Sequence, residues 1–157
     1  MKNNYDCRAA IILGMHDAIV SLTGLIAGLF FAFTDSNIII ITCIISSVTA
    51  SLSMGAANYL ATKSVHHDKA MMSAVCTFTA YMATCFLLIL PFFMFTDRYL
   101  IFSSIILMSI FIIFAFNLFF YIGQGFYKHF FEMLAICTLV SITAFFIGEF
   151  AHQIFGI

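Results

Sequence analysis

A histidine and an aspartate stand side by side, His16 and Asp17, in a run otherwise apolar enough for the interior of a bilayer: AIILGMHDAIVSLTGLIAGLFF, residues 10–31. A carboxylate can bind a cation or carry a proton. At the centre of a membrane helix it costs about 2.5–3.5 kcal/mol on the insertion scale. Helix packing does not require that cost, so Asp17 reads as functional. Around it, Gly14, Asp17, Ser21, Gly24 and Gly28 recur at steps of three and four, which places them on one helix face. Gly24-x-x-x-Gly28 is a close-packing motif. This face is expected to meet another helix and, through Gly14, Gly24 and Gly28, a second copy of the chain. His16 is about 100° round the helix. It is a candidate ligand if it turns toward Asp17, and otherwise a satisfied interior histidine. Adjacent helix residues do not face each other, which disfavours an enzyme built on this pair.

A second polar face occurs in SSVTASLSMGAANYLATKS, residues 46–64, where Ser47, Ser51, Met54 and Asn58 recur at steps of four, three and four. Serine usually packs such a face, and methionine usually fills gaps. Depth gives Met54 a sharper reading. Asp17 and Met54 each lie about 12 Å from the same end of their spans, at about 1.5 Å per residue. Antiparallel neighbours would present a carboxylate and a thioether at one level. That pair suits a transition metal, because soft sulfur disfavours calcium and magnesium. Ser21, Ser46, Ser51 and Asn58 are candidate pathway-lining residues. The connector KSVHHDKAMM holds His66, His67, Asp68, Met71 and Met72, which read either as a solvated turn or as an entry point for metal. Glu149 and His152 could lie at the opposite exit.

The elements that position these residues follow from composition. The 157-residue chain is 64% hydrophobic and 8% charged, with mean hydropathy +1.13. Soluble domains carry about 25% charged residues, so the bilayer is the expected solvent. A formal charge of −1 and six scattered basic residues form no patch for nucleic acid. A span needs about 20 apolar residues, which predicts an all-α membrane protein with five helices over 9–33, 38–62, 70–95, 99–121 and 130–155, forming one domain. Short connectors leave no room for a soluble domain. Pro91 is expected to kink the third span. The first run is not a cleavable leader, being too long and carrying Asp17 inside it. Lys2, Arg8, Lys63, Lys69 and Lys128 fall on one side and Arg98 on the other, which predicts a cytoplasmic N-terminus. None of the five cysteines forms a C-x-x-C pair, and they read as small buried hydrophobes.

Two stretches, IILGMHDAIVSLTGLIAGL and SLSMGAANYLATKS, resemble the first two spans of the vacuolar iron transporter family, and FFEMLAICTLVSITAFFIG resembles its last. The third and fourth spans match by hydropathy alone. The resemblance implies a homodimer in an inner, plasma or vacuole-like membrane. It also implies export of Fe2+, often Mn2+ too, from the cytosol in exchange for protons, through a path between subunits, with no permanently bound cofactor. The family's aspartate falls on Asp17 and its methionine on Met54. Ser46 and Asn58 stand where many members have glutamates, and Ala18 stands where they have glycine. The short KSVHHDK loop replaces a long cytosolic metal-binding domain, as in the nodulin-like branch. The competing reading is a non-transporting assembly partner or degenerate member.

Overall fold

The computed structural model describes residues 7–120 and 125–155. Lys2 and residues 121–124, at the end of the expected fourth span and in the loop after it, lie outside the described residues. The chain is helical: α1 (Arg8–Ala32), α2 (Ser36–Val65), a 3-10 turn (His67–Lys69), α3 (Ala70–Ile89), α4 (Pro91–Met94), α5 (Arg98–Phe120) and α6 (Phe126–Phe155). No strand occurs among the described residues. Five stretches are long and apolar enough to cross a membrane, with α3 and α4 together making the third. α2 runs on to Val65, and α6 starts at Phe126, each about one turn outside the expected span.

Local chemistry sets these boundaries. Asp35 caps α2 by accepting the Asn37 backbone N–H at 2.8 Å, and Asp97 does the same for α5 from Tyr99 at 2.8 Å. A carboxylate at a helix N-terminus satisfies donors that the helix leaves unpaired. Gly125, with φ of 79°, makes the turn into α6. A left-handed backbone favours glycine. At Pro91, where a kink was expected, the helical hydrogen-bond ladder is interrupted while Leu90 keeps helical dihedrals of −53° and −39°. α3 ends at Ile89, Leu90 forms a turn, and Pro91 starts α4. Proline has no N–H to give to the carbonyl four residues back, and its ring crowds that carbonyl.

α1 is the hub, packing on α2, α3, α5 and α6, most closely on α6 and α3. Its glycines allow this. A Cβ on Gly14 would collide with the Thr77 backbone oxygen of α3. One on Gly24 would sit 2.9 Å from Val140 Cγ1, and one on Gly28 would sit 3.1 Å from the Ala144 backbone oxygen, both on α6. Gly148 of α6 presses on the Gly28 backbone. The glycine face, expected to meet a second copy, is thus filled by the chain's own α3 and α6. The close approach it allows is intrachain.

The cysteines need a correction. Cys43, Cys85 and Cys137 are free and buried, as expected of small hydrophobes, but Cys7 and Cys76 form a disulfide. Their wide separation in sequence gave no sign of it. The α1–α3 packing brings the start of α1 beside the second turn of α3, and the Cα atoms lie 6.2 Å apart, within bonding range.

The glycine contacts divide into two kinds with different expected costs. At Gly148 an added Cβ meets backbone, which cannot rotate away. At Gly55 its nearest neighbour is the Phe78 Cβ at 3.4 Å, an ordinary contact. Gly148→Ala should therefore lower stability by about 1–3 kcal/mol. Gly55→Ala should be neutral or gain up to about 1 kcal/mol from helix propensity. Thermal unfolding of the two variants in mild detergent checks this. Equal losses would mean that α1 and α6 do not cross at Gly28 and Gly148.

Candidate functional site

Asp17 sits in the third turn of α1, half-buried, with His16 half-buried beside it. Ser21, one turn on, donates its hydroxyl proton to the Asp17 backbone oxygen at 2.6 Å. The same Ser21 Oγ lies 2.7 Å from the Tyr81 hydroxyl of α3. Tyr81 is buried, and so is Cys85 one turn further along α3. The Asp17 charge reaches both electrostatically. On α2, Ser47 is buried beside the Cys85 thiol. Its hydroxyl has no nitrogen or oxygen partner among the described residues. Ser51 is fully buried and donates to the Val48 carbonyl at 2.9 Å, so its hydroxyl is satisfied within its own helix. Ser46 is half-buried, and its carbonyl accepts from Thr49.

Met54 is half-buried against the hydrophobic core of the bundle. Measured along the helices at about 1.5 Å per residue, Asp17 lies about 14 Å from the start of α1 and Met54 about 17 Å from the end of α2. The longer α2 moves Met54 deeper than expected by under one turn. Carboxylate and thioether remain at similar depth on neighbouring helices.

Asn58 belongs to a different constellation. Its Nδ2 donates to Ser73 Oγ at 2.9 Å, to the Ser73 carbonyl at 3.3 Å, and to Thr77 Oγ1. Thr62 donates to Ser73 Oγ at 3.1 Å, and Thr77 Oγ1 donates across to the Ala10 carbonyl of α1 at 3.1 Å. Five groups from three helices thus close a network at one end of the bundle, next to the disulfide. Asn58 was expected to line a pathway. Its amide N–H groups instead point at α3, where they tie α2 to its neighbour.

At that same end, His66, His67, Asp68, Met71 and Met72 are exposed, on and beside the 3-10 turn. The turn does not bring them to Asp17. Among the described residues, no group of three or more His, Cys, Asp or Glu is placed to hold a metal ion. At the far end, Glu149 accepts from Gln153 at 3.2 Å rather than pairing with His152, which is exposed. Between the ends, Ser21, Gly24 and Gly28 line a cleft of about 430 Å3 along α1 and α6.

Sequence reasoning missed α3. Ser73, Thr77, Tyr81 and Cys85 recur every four residues and form one stripe, and every one of them is buried. That spacing was legible in SAVCTFTAYMATC, as it was in the first two spans.

An all-helical chain with five membrane-length apolar helices, packed round a helix with an internal carboxylate, is an integral multi-pass membrane protein. Residues 8–69 match the model of the VIT family. The match takes in α1, α2 and the turn after them, so it includes Asp17, Met54 and the loop histidines. Over those residues, under half of the chain, the protein is similar to that family. No curated protein matches the chain.

The Asn58 network yields a test of anchoring against lining. Removing the amide leaves Ser73 and Thr77 without a shared partner, and a net hydrogen bond is worth about 0.5–1.5 kcal/mol. Asn58→Ala should lower stability by about 1–3 kcal/mol. Ser46→Ala, whose hydroxyl makes no such bridge, should stay within about 0.5 kcal/mol. Denaturation of both in the same detergent distinguishes the roles. A stable Asn58→Ala protein would return Asn58 to the pathway.

Proposed function

We propose that the protein exports a divalent transition metal, Fe2+ or Mn2+, from the cytosol by proton antiport, along a path between two copies of the chain. The observation that carries this is Asp17. It is a half-buried carboxylate inside a membrane-length helix, within the segment that matches a metal-transporting family. An ion leaving water loses hydration that apolar side chains cannot replace. One carboxylate from each of two copies would match the charge of a divalent ion. Metal and proton compete for the same carboxylate oxygens, and that competition is the elementary step of an exchanger. Met54, at similar depth on α2, adds soft sulfur. The role is transport rather than catalysis.

The direction proposed is supported by the basic residues. Those at the start of α1, the end of α2 and the start of α6 share one side, and the positive-inside rule favours a cytosolic position for the exposed His66, His67 and Asp68. They would concentrate metal at the mouth, and water can replace each of them as a ligand.

Asp17→Asn keeps the shape of the side chain and removes its charge and exchangeable proton. In proteoliposomes with an imposed pH gradient, it should reduce Fe2+ and Mn2+ movement to the level of empty vesicles while still folding. Wild-type transport by this variant would sink the mechanism.

Met54→Leu conserves volume and apolarity and removes only the sulfur. It should leave the fold intact, lower transport several-fold, and narrow the preference for Fe2+ and Mn2+ over Mg2+ in a competition series. Unchanged selectivity would make Met54 a packing residue.

A further inference from the structure

We infer that Tyr81 is a positioning residue for Asp17, acting through Ser21. The inference rests on the reading of Asp17 as the ion-carrying group, and it adds a residue of α3 that no part of that reading uses. A serine hydroxyl has one proton. Ser21 gives its proton to the Asp17 backbone oxygen, so the 2.7 Å contact with Tyr81 is a bond in which the tyrosine donates. The chain of donation therefore runs one way, from the Tyr81 hydroxyl to Ser21 Oγ to the Asp17 carbonyl. It joins α3 to the turn of α1 that carries the carboxylate.

The surroundings give this chain its leverage. Tyr81 is 2% exposed and cannot turn its hydroxyl to water. Its ring belongs to the buried hydrophobic core of the bundle, and its hydroxyl meets Ser21 Oγ. A buried hydroxyl needs a partner in hydrocarbon, and among the described residues Ser21 is that partner. Below Ser21, Gly14 lies against the Thr77 backbone, so α1 and α3 approach with no side chain between them on that turn. The Asp17 turn is thus held at two points, a steric contact one turn before it and a hydrogen bond one turn after. Serine bonded back to its own helix also bends that helix locally. Asp17 needs this hold because its own side chain is half-exposed, and a bound ion pulls on it.

Three variants and one label test the inference in the full chain. Tyr81→Phe and Ser21→Ala each remove the bond with minimal change of volume, and Ser21→Thr keeps the hydroxyl. In proteoliposomes, the first two should raise the half-saturating concentration of Mn2+ about 3- to 10-fold and leave the maximal rate within about twofold. The double variant should equal either single one, because both remove the same bond. Ser21→Thr should behave as wild type. In parallel, the carboxyl stretching band of Asp17, assigned with isotope-labelled aspartate and its loss in Asp17→Asn, should shift in Tyr81→Phe. An unmoved band, or additive effects in the double variant, overturns the positioning role. The infrared readout does not depend on transport. Loss of transport by the wild-type protein, or full transport by Asp17→Asn, would therefore overturn the metal-export reading while the band still decides the role of Tyr81.

Discussion

A polar group in hydrocarbon must find its partner inside the protein, and the rest of this structure depends on that constraint. Many hydroxyls of the spans meet it locally. Thr23, Thr42, Thr79, Thr84, Thr138 and Thr143 each donate to the carbonyl four residues back on their own helix. Such bonds cost the fold little and specify no tertiary contact. A carboxylate cannot be satisfied in this way, because helix carbonyls are acceptors and repel it. Asp17 therefore requires donors from elsewhere, a proton of its own, or a cation. The nearest polar groups are a histidine on its own helix and, on α3, a tyrosine whose hydroxyl is engaged with Ser21 and a buried thiol, and none of them is hydrogen-bonded to the carboxylate among the described residues.

The second dependency is close packing round α1. Lipid tails are as apolar as leucine, so membrane helices associate through van der Waals contact and interhelical hydrogen bonds. Gly14 and Gly28 bring backbone against backbone, first with α3 and then with α6. The hydrogen bonds between α1, α2 and α3 cluster near the end where the disulfide also lies. α6, by contrast, holds to α1 through small residues and to α5 more loosely. One end of the bundle is therefore pinned by polar and covalent links, and the other by shape alone.

The five spans were legible because they rest on one-dimensional signals, namely length and apolarity. The interruption at Pro91 was legible too, since proline acts on the local ladder. The partners of the glycine face were not legible. A small-residue stripe states that something packs closely there, and nothing in the stripe says whether the neighbour is α6 or another subunit. The pairing of Cys7 with Cys76 was hidden for the same reason, since it follows from which helix lies beside α1. That bond lies on the side that the basic residues assign to the cytosol, where thiols ordinarily stay reduced. Charge and cysteine chemistry thus pull in opposite directions at this end of the molecule.

Asn58 shows how one polar side chain can tie three helices together. A glutamate at that place would act differently. Glutamate is an acceptor when ionised, whereas the asparagine amide supplies two donors. In this chain those donors meet Ser73 and Thr77, and Thr77 in turn donates to the Ala10 carbonyl. An ionised glutamate at 58 could accept from the two hydroxyls, but Thr77 would then have no proton left for Ala10 and the link to α1 would open. The amide therefore holds a three-helix clasp one turn from Met54, and an acid in its place would open that clasp toward α1.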